Sequence, residues 1–131
     1  MKSYYTMSEF KQMSLDEMKQ ILNNSLKKDY QAIKSGLQTH IQKDEEIDDE
    51  MIEKYYIVNQ FYKYISDGVK YFDYSLVAGL YYIYVYSKNH KKNIFDVIID
   101  YYIALGKNIC LTKTSDIISL LLQIKQLLVT G

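Results

Sequence analysis

The 131 residues carry 48% hydrophobic and 15% aromatic side chains, which excludes a disordered chain and permits one core burying roughly two-thirds of the unfolded surface. Sixteen lysines balance sixteen acidic residues and arginine is absent, so no net field pulls the chain onto nucleic acid or an anionic membrane. The absence of arginine also removes the bidentate fork that reads phosphates and guanines.

The single cysteine, Cys110, excludes an internal disulfide and is expected as a buried, inert thiol in the apolar run NICL. Lys2 is followed by a polar stretch, so no secretory leader is expected. No segment reaches the roughly 20 apolar residues of a membrane span, and a cytoplasmic location is the expectation. The bias toward Lys, Ile, Tyr and Asn, without Pro, Arg or Trp, matches AT-rich coding sequence of low-GC bacteria, their plasmids and phages.

In chain order, residues 1–13 hold no periodic signal and read as a flexible N-terminal segment of a single domain spanning 1–131. Leu15, Met18, Leu22, Leu26, Tyr30, Ile33, Leu37 and Ile41 then recur at steps of three or four, which predicts one long amphipathic helix over 14–42. Ser14 and Glu17 form a capping box, and Gly36 is a candidate kink. The run KDEEIDDE (43–50) places carboxylates where a helix N-terminus is partly positive. Met51, Tyr55, Val58, Tyr62 and Ile65 continue a second helix over about 48–66, which Asp67-Gly68 stops with Gly68 left-handed.

The next stretch has two readings. FYKYI-SDG-VKYFDY has the alternating, Tyr-rich flanks of a β-hairpin around Asp67-Gly68, and GLYYIYVYS (79–87) is strongly β-prone. As a strand, however, 79–87 would be apolar on both faces and would lack partner strands. As a helix from Tyr74 to about Lys88, it sets Leu76, Leu80 and Ile83 on a core stripe, with Ser75, Ala78 and Gly79 as a small-residue face. The helical reading is preferred, against local propensity. Asn93 then caps a helix through Ile94, Val97, Ile98, Tyr101, Tyr102 and Leu105, with Asp96 and Asp100 on its wet side. A last helix, capped by Thr114 or Ser115, is apolar over more than half its circumference and is expected to be central. The fold expectation is an all-α bundle of four to five helices, with an α+β fold carrying the Tyr-rich hairpin as the alternative.

The motifs of chemistry are missing. His40 and His90 lie fifty residues apart, no nucleophile and base are brought together by spacing, and the glycines fall singly at 36, 68, 79, 106 and 131. No enzyme, metal or cofactor is expected. What stands out is charge and aromatics. Asp44, Glu45, Glu46, Asp48, Asp49 and Glu50 read either as a solvated helix start or as a docking patch for a basic surface. Twelve of fifteen tyrosines fall between 55 and 102, a surplus that a bundle core does not need. Tyr55, Tyr56, Tyr62, Tyr64, Tyr71, Tyr82 and Tyr86 are the candidate anchors of an interface.

Two readings follow. The first is a small non-catalytic module that binds another protein with a basic surface and inhibits it by occlusion, as an immunity protein, an antitoxin or a phage anti-defence (anti-CRISPR) protein does; self-association into a homodimer is a further option. The second is a helical subunit of a nucleoprotein assembly. Lys54, Lys63, Lys70, Lys88, Lys91 and Lys92, interleaved with tyrosine and with a basic loop around His90, would then track a nucleic-acid backbone. In size and texture, though without a motif, the chain resembles the small subunits of CRISPR effector complexes.

Overall fold

Helix-forming periodicity runs almost the whole length of this chain, and the backbone follows it. The computed structural model describes residues 5–42, 46, 49–105 and 114–130, excluding the side chains of 40–42 and 114. Among them are helices α1 Met7–Lys11, α2 Leu15–Gln42, α3 Asp49–Gly68, α4 Tyr74–Asn89, α5 Ile94–Ala104 and α6 Thr114–Thr130, a 3-10 turn at Val69–Tyr71, and no strand. The expected all-α bundle is therefore the fold. No helix among the described residues is long and apolar enough to cross a membrane.

The ends of the helices obey local chemistry. Ser14 Oγ accepts the Glu17 N–H at 3.2 Å to start α2, which then passes through Gly36 uninterrupted. Asp73 caps α4, its Oδ1 accepting the Leu76 N–H at 2.9 Å, and Asn93 caps α5 through the Phe95 N–H. Thr114 is already helical, so the cap of α6, like Gly106 and Cys110, lies outside the described residues.

The alternative with a hairpin around Asp67-Gly68 is not realised: the chain stays helical through Gly68, tightens into the 3-10 turn and re-enters a helix at Tyr74, as the preferred helical reading has it. Two expectations are corrected. Gly68 is not left-handed; its φ of −92° and ψ of −17° lie in the right-handed region, as the following 3-10 turn requires. The second concerns which helix is central. It is α4, which packs against α1, α2, α5 and α6 and buries Leu76, Val77, Leu80, Tyr81, Ile83 and Tyr84. By contrast α6 buries Ile117, Leu120, Leu121 and Ile124 but leaves Leu122, Leu127 and Val129 exposed. Tertiary packing thus overrode β propensity in 79–87, since a helix lets its branched and aromatic residues fill a core on every side.

The sequence sets no helix before Ser14, yet α1 is docked. Thr6 and Glu9 close a capping box, and buried Phe10 stacks on Tyr81 with ring centroids 3.7 Å apart and planes 5° from parallel. The Tyr81 hydroxyl donates to the Tyr5 carbonyl at 3.0 Å and accepts the Tyr5 N–H at 2.9 Å, which satisfies a phenol buried in the core. Burial pushes its pKa up to about 12, with Tyr84, Tyr5 and Glu9 adding to the rise and the Tyr5 backbone bond opposing it.

At the other end of α4 the chain turns without glycine. The Lys92 N–H donates to the Ser87 carbonyl at 2.8 Å and the Lys91 N–H to the Lys88 carbonyl at 3.1 Å, a Schellman closure. It places Lys91 at φ 56°, a left-handed position that usually belongs to glycine.

Candidate protein-binding surface

Tyrosine and charge are the anomalies of the sequence, and the fold sorts both by burial. Much of the tyrosine is used internally. Tyr30 on α2 stacks on Tyr62 of α3 with centroids 4.1 Å apart, and Phe95 meets both rings edge-on at 6.5 and 6.3 Å. The Tyr30 hydroxyl donates to Asn59 Oδ1 at 2.7 Å; burial raises its pKa, and the Tyr55 hydroxyl raises it further. Tyr86 lies against His90 at 4.0 Å, and burial raises the pKa of Tyr101, with neighbouring Tyr86 contributing. Of the seven tyrosines expected as anchors, Tyr55, Tyr62, Tyr64, Tyr82 and Tyr86 are half-buried, while Tyr56 is 60% and Tyr71 80% exposed.

The lysines expected to follow a nucleic-acid backbone are divided in the same way. Lys88 is held against buried Asp29, Nζ 2.8 and 3.0 Å from the two carboxylate oxygens, and sits 5.1 Å from the centre of the Tyr84 ring. Lys54 pairs with Asp96 at 2.6 Å and Lys92 with Asp100 at 3.6 Å. Lys70 lies 5.1 Å from the centre of the Tyr71 ring. Lys63 and Lys91 are exposed. Three of the six face carboxylates on α2 and α5. The basic loop reading of Lys88 is corrected on the same ground, since this side chain belongs to α4 and serves a buried carboxylate.

Asp29 was not singled out by the sequence reading. It is only 4% exposed, and besides Lys88 it binds the start of α5: its Oδ2 accepts the Ile94 N–H at 3.0 Å and its carbonyl accepts from Asn93 Nδ2 at 2.8 Å. The signal was in the register. Asp29 stands three residues after Leu26 and four before Ile33, a carboxylate inside an apolar stripe, and a buried charge needs a partner.

Of the acidic run, Asp44, Glu45 and Asp48 lie outside the described residues, and Glu46, Asp49 and Glu50 are exposed. Asp49, Ile52, Glu53 and Tyr56 follow one another on α3 at i, i+3, i+4 and i+7 and share its outer face. Ile52 is 56% exposed there, beside Tyr56. Next to this stripe, α3 and α5 border a cleft of about 370 Å³ whose charged lining is Glu50, Glu53, Asp96 and Asp100 with Lys54, and whose apolar rim includes exposed Ile103. Among the described residues no group of three or more His, Cys, Asp or Glu side chains is gathered closely enough to hold a metal ion.

The surface can therefore offer an aromatic and an aliphatic side chain next to carboxylates. No protein-family model, no curated protein and no solved structure matches the chain.

Proposed function

We propose that the protein is a non-catalytic binding module that recognises another protein through the outer face at the start of α3, and that it acts on that partner by occlusion. The observation that carries this reading is the stripe of Asp49, Ile52, Glu53 and Tyr56, in which two exposed large side chains, Ile52 and Tyr56, stand beside the carboxylates. Large apolar anchors ringed by charge are the anatomy of a protein interface, where the anchors supply most of the affinity and the rim steers the encounter. Glu50, which lines the neighbouring α3/α5 cleft, extends the same sign of charge, while Asp96 and Asp100 there are balanced by Lys54 and Lys92, so the partner's complementary surface is basic and apolar.

The nucleoprotein reading has less support. Three of its six lysines are engaged with Asp96, Asp29 and Asp100, and a paired ammonium releases no counterion from a phosphate backbone.

The test begins with a tagged pull-down analysed by native mass spectrometry, with and without nuclease treatment. One protein recovered in fixed stoichiometry, indifferent to nuclease, is the expected result; an assembly carrying RNA or DNA overturns the reading. With the partner in hand, Asp49→Lys, Glu50→Lys and Glu53→Lys together slow association by about ten-fold or more at low salt, and Tyr56→Ala speeds dissociation. An on-rate that stays the same and ignores salt removes the α3 face from the mechanism.

A further inference from the structure

A second exposed apolar surface follows the seam between α4 and α6. Ile118, Leu122, Lys125 and Val129 succeed one another on α6 at steps of four, three and four and so share a face. Beside them Ser75, Ala78 and Tyr82 share a face of α4 at steps of three and four, and Tyr71 in the 3-10 turn lines the same cleft as Ser75. The two helices approach closely: a Cβ added to Gly79 would stand 3.2 Å from the Lys125 Cδ.

Two clefts lie end to end along this seam and share Ser75. The first, of about 490 Å³, has Phe72, Leu76, Ile118 and Leu122 among its apolar lining; the second, of about 350 Å³, has Met7, Ala78, Tyr82 and Val129. Tyr71, Tyr74, Leu122 and Val129 stand exposed along the seam, and a run of large apolar groups of this kind marks an interaction surface.

The charges of the seam are sorted by end. The first cleft is bordered by Asp67 and Asp73, the second by Lys11 and Lys125. Lys70 is outside the lining of the first cleft, but its ammonium lies 5.1 Å from the centre of the Tyr71 ring that lines it, so this end carries two carboxylates against one neighbouring lysine. A two-fold axis lying in the plane of contact and crossing the seam at right angles near Ser75 would turn the seam end for end onto a second copy. The carboxylate cleft of each copy would then meet the lysine cleft of the other, and the apolar side chains between them would be covered twice over, as an isologous contact requires.

We infer from this arrangement that the α4/α6 seam is a homodimer interface, in which Asp67 and Asp73 of one copy face Lys11 and Lys125 of the other. It is separate from the acidic face at the start of α3, since Asp67 lies about three helical turns beyond Tyr56. Binding of a basic partner there and self-association here can stand or fall independently.

Sedimentation equilibrium on the full chain over a dilution series tests the inference. The wild type is expected to run as a reversible dimer, and Leu122→Glu, at a solvent-exposed position, as a monomer with an unchanged circular dichroism spectrum. Asp67→Lys and Lys125→Glu each set like charges against each other and weaken self-association by about ten-fold. An equimolar mixture of these two variants should restore dimer as a heterodimer, because one half of its interface pairs Asp67 with Lys125 and the other half pairs the two introduced charges. A wild type that stays monomeric throughout overturns the inference, including the case where the cleft instead binds a different protein and Leu122→Glu abolishes that binding. A dimer indifferent to both charge reversals, or a mixture with no preference for the heterodimer, overturns it as well.

Discussion

Asp29 and Asp49 are the same residue type on neighbouring helices, and they do opposite work. Asp29 is buried beneath α4 and α5, where its carboxylate accepts from Lys88 and from the Ile94 N–H. Asp49 is exposed in the first turn of α3, beside Ile52 and Tyr56. A buried carboxylate in low dielectric must keep its donors, so it ties three helices together. An exposed one is screened by water and salt and contributes little to the fold, so it is available to steer a partner. The tyrosines repeat the lesson. Tyr81, with its hydroxyl closed onto Tyr5, fastens α1 to α4, whereas Tyr56 fastens nothing inside the described fold.

The sharpest way to break the contrast is Asp29→Ala. It strands an ammonium that is three-quarters enclosed and leaves the start of α5 without its acceptor, so a loss of about 3 kcal/mol in urea unfolding is expected. A loss below 1 kcal/mol would mean that Lys88 simply swings to water and that the buried pair does not organise the helices.

Tyr81→Phe is expected to cost about 1 to 2 kcal/mol, since both bonds to Tyr5 are lost while the Phe10 stack is kept. It carries a pH signature. The folded-state pKa of Tyr81 is raised from 10.0 to about 12, so its stabilisation is fully present below pH 10 and is lost as pH rises through 12. Thermal melts between those two values should fall more steeply for the wild type than for Tyr81→Phe. In the variant a weaker decline remains, because Tyr30 and Tyr101 are shifted in the same direction. Equal slopes would show that the phenol ionises freely in the folded state.

Smaller effects belong to exposed positions. Lys91→Gly relieves a left-handed backbone at φ 56° without removing a packed side chain, and should stabilise the protein by about 0.5 to 1 kcal/mol in the same urea assay. The triple reversal of Asp49, Glu50 and Glu53 to Lys loses carboxylates that the helix N-terminus favours and should cost about 1 kcal/mol without unfolding the chain. If it unfolds the chain, the α3 face is structural and the contrast with Asp29 disappears.

Much of the architecture was legible one helix at a time. The steps of three and four from Leu15 to Leu37, the caps at Ser14 and Asn93, and the Leu76, Leu80 and Ile83 stripe of α4 are local patterns, and the backbone realises them. Local pattern also picked out the residue types from which the candidate surface is proposed, carboxylates beside tyrosines at the start of α3. It did not tell Tyr56 from Tyr62, because four of every seven positions on a surface helix turn away from the core and only the neighbouring Tyr30 and Phe95 make Tyr62 an inside residue. Nor did it foresee the Phe10 and Tyr81 stack, which joins residues 71 positions apart, or the pairing of Lys88 with Asp29 across 59. Helical identity comes from contacts within a few residues along the chain; which face is wet, which charge is paired and which helix is surrounded come from contacts between distant segments. Those contacts exist only once the helices have packed, and so they are properties of the folded bundle.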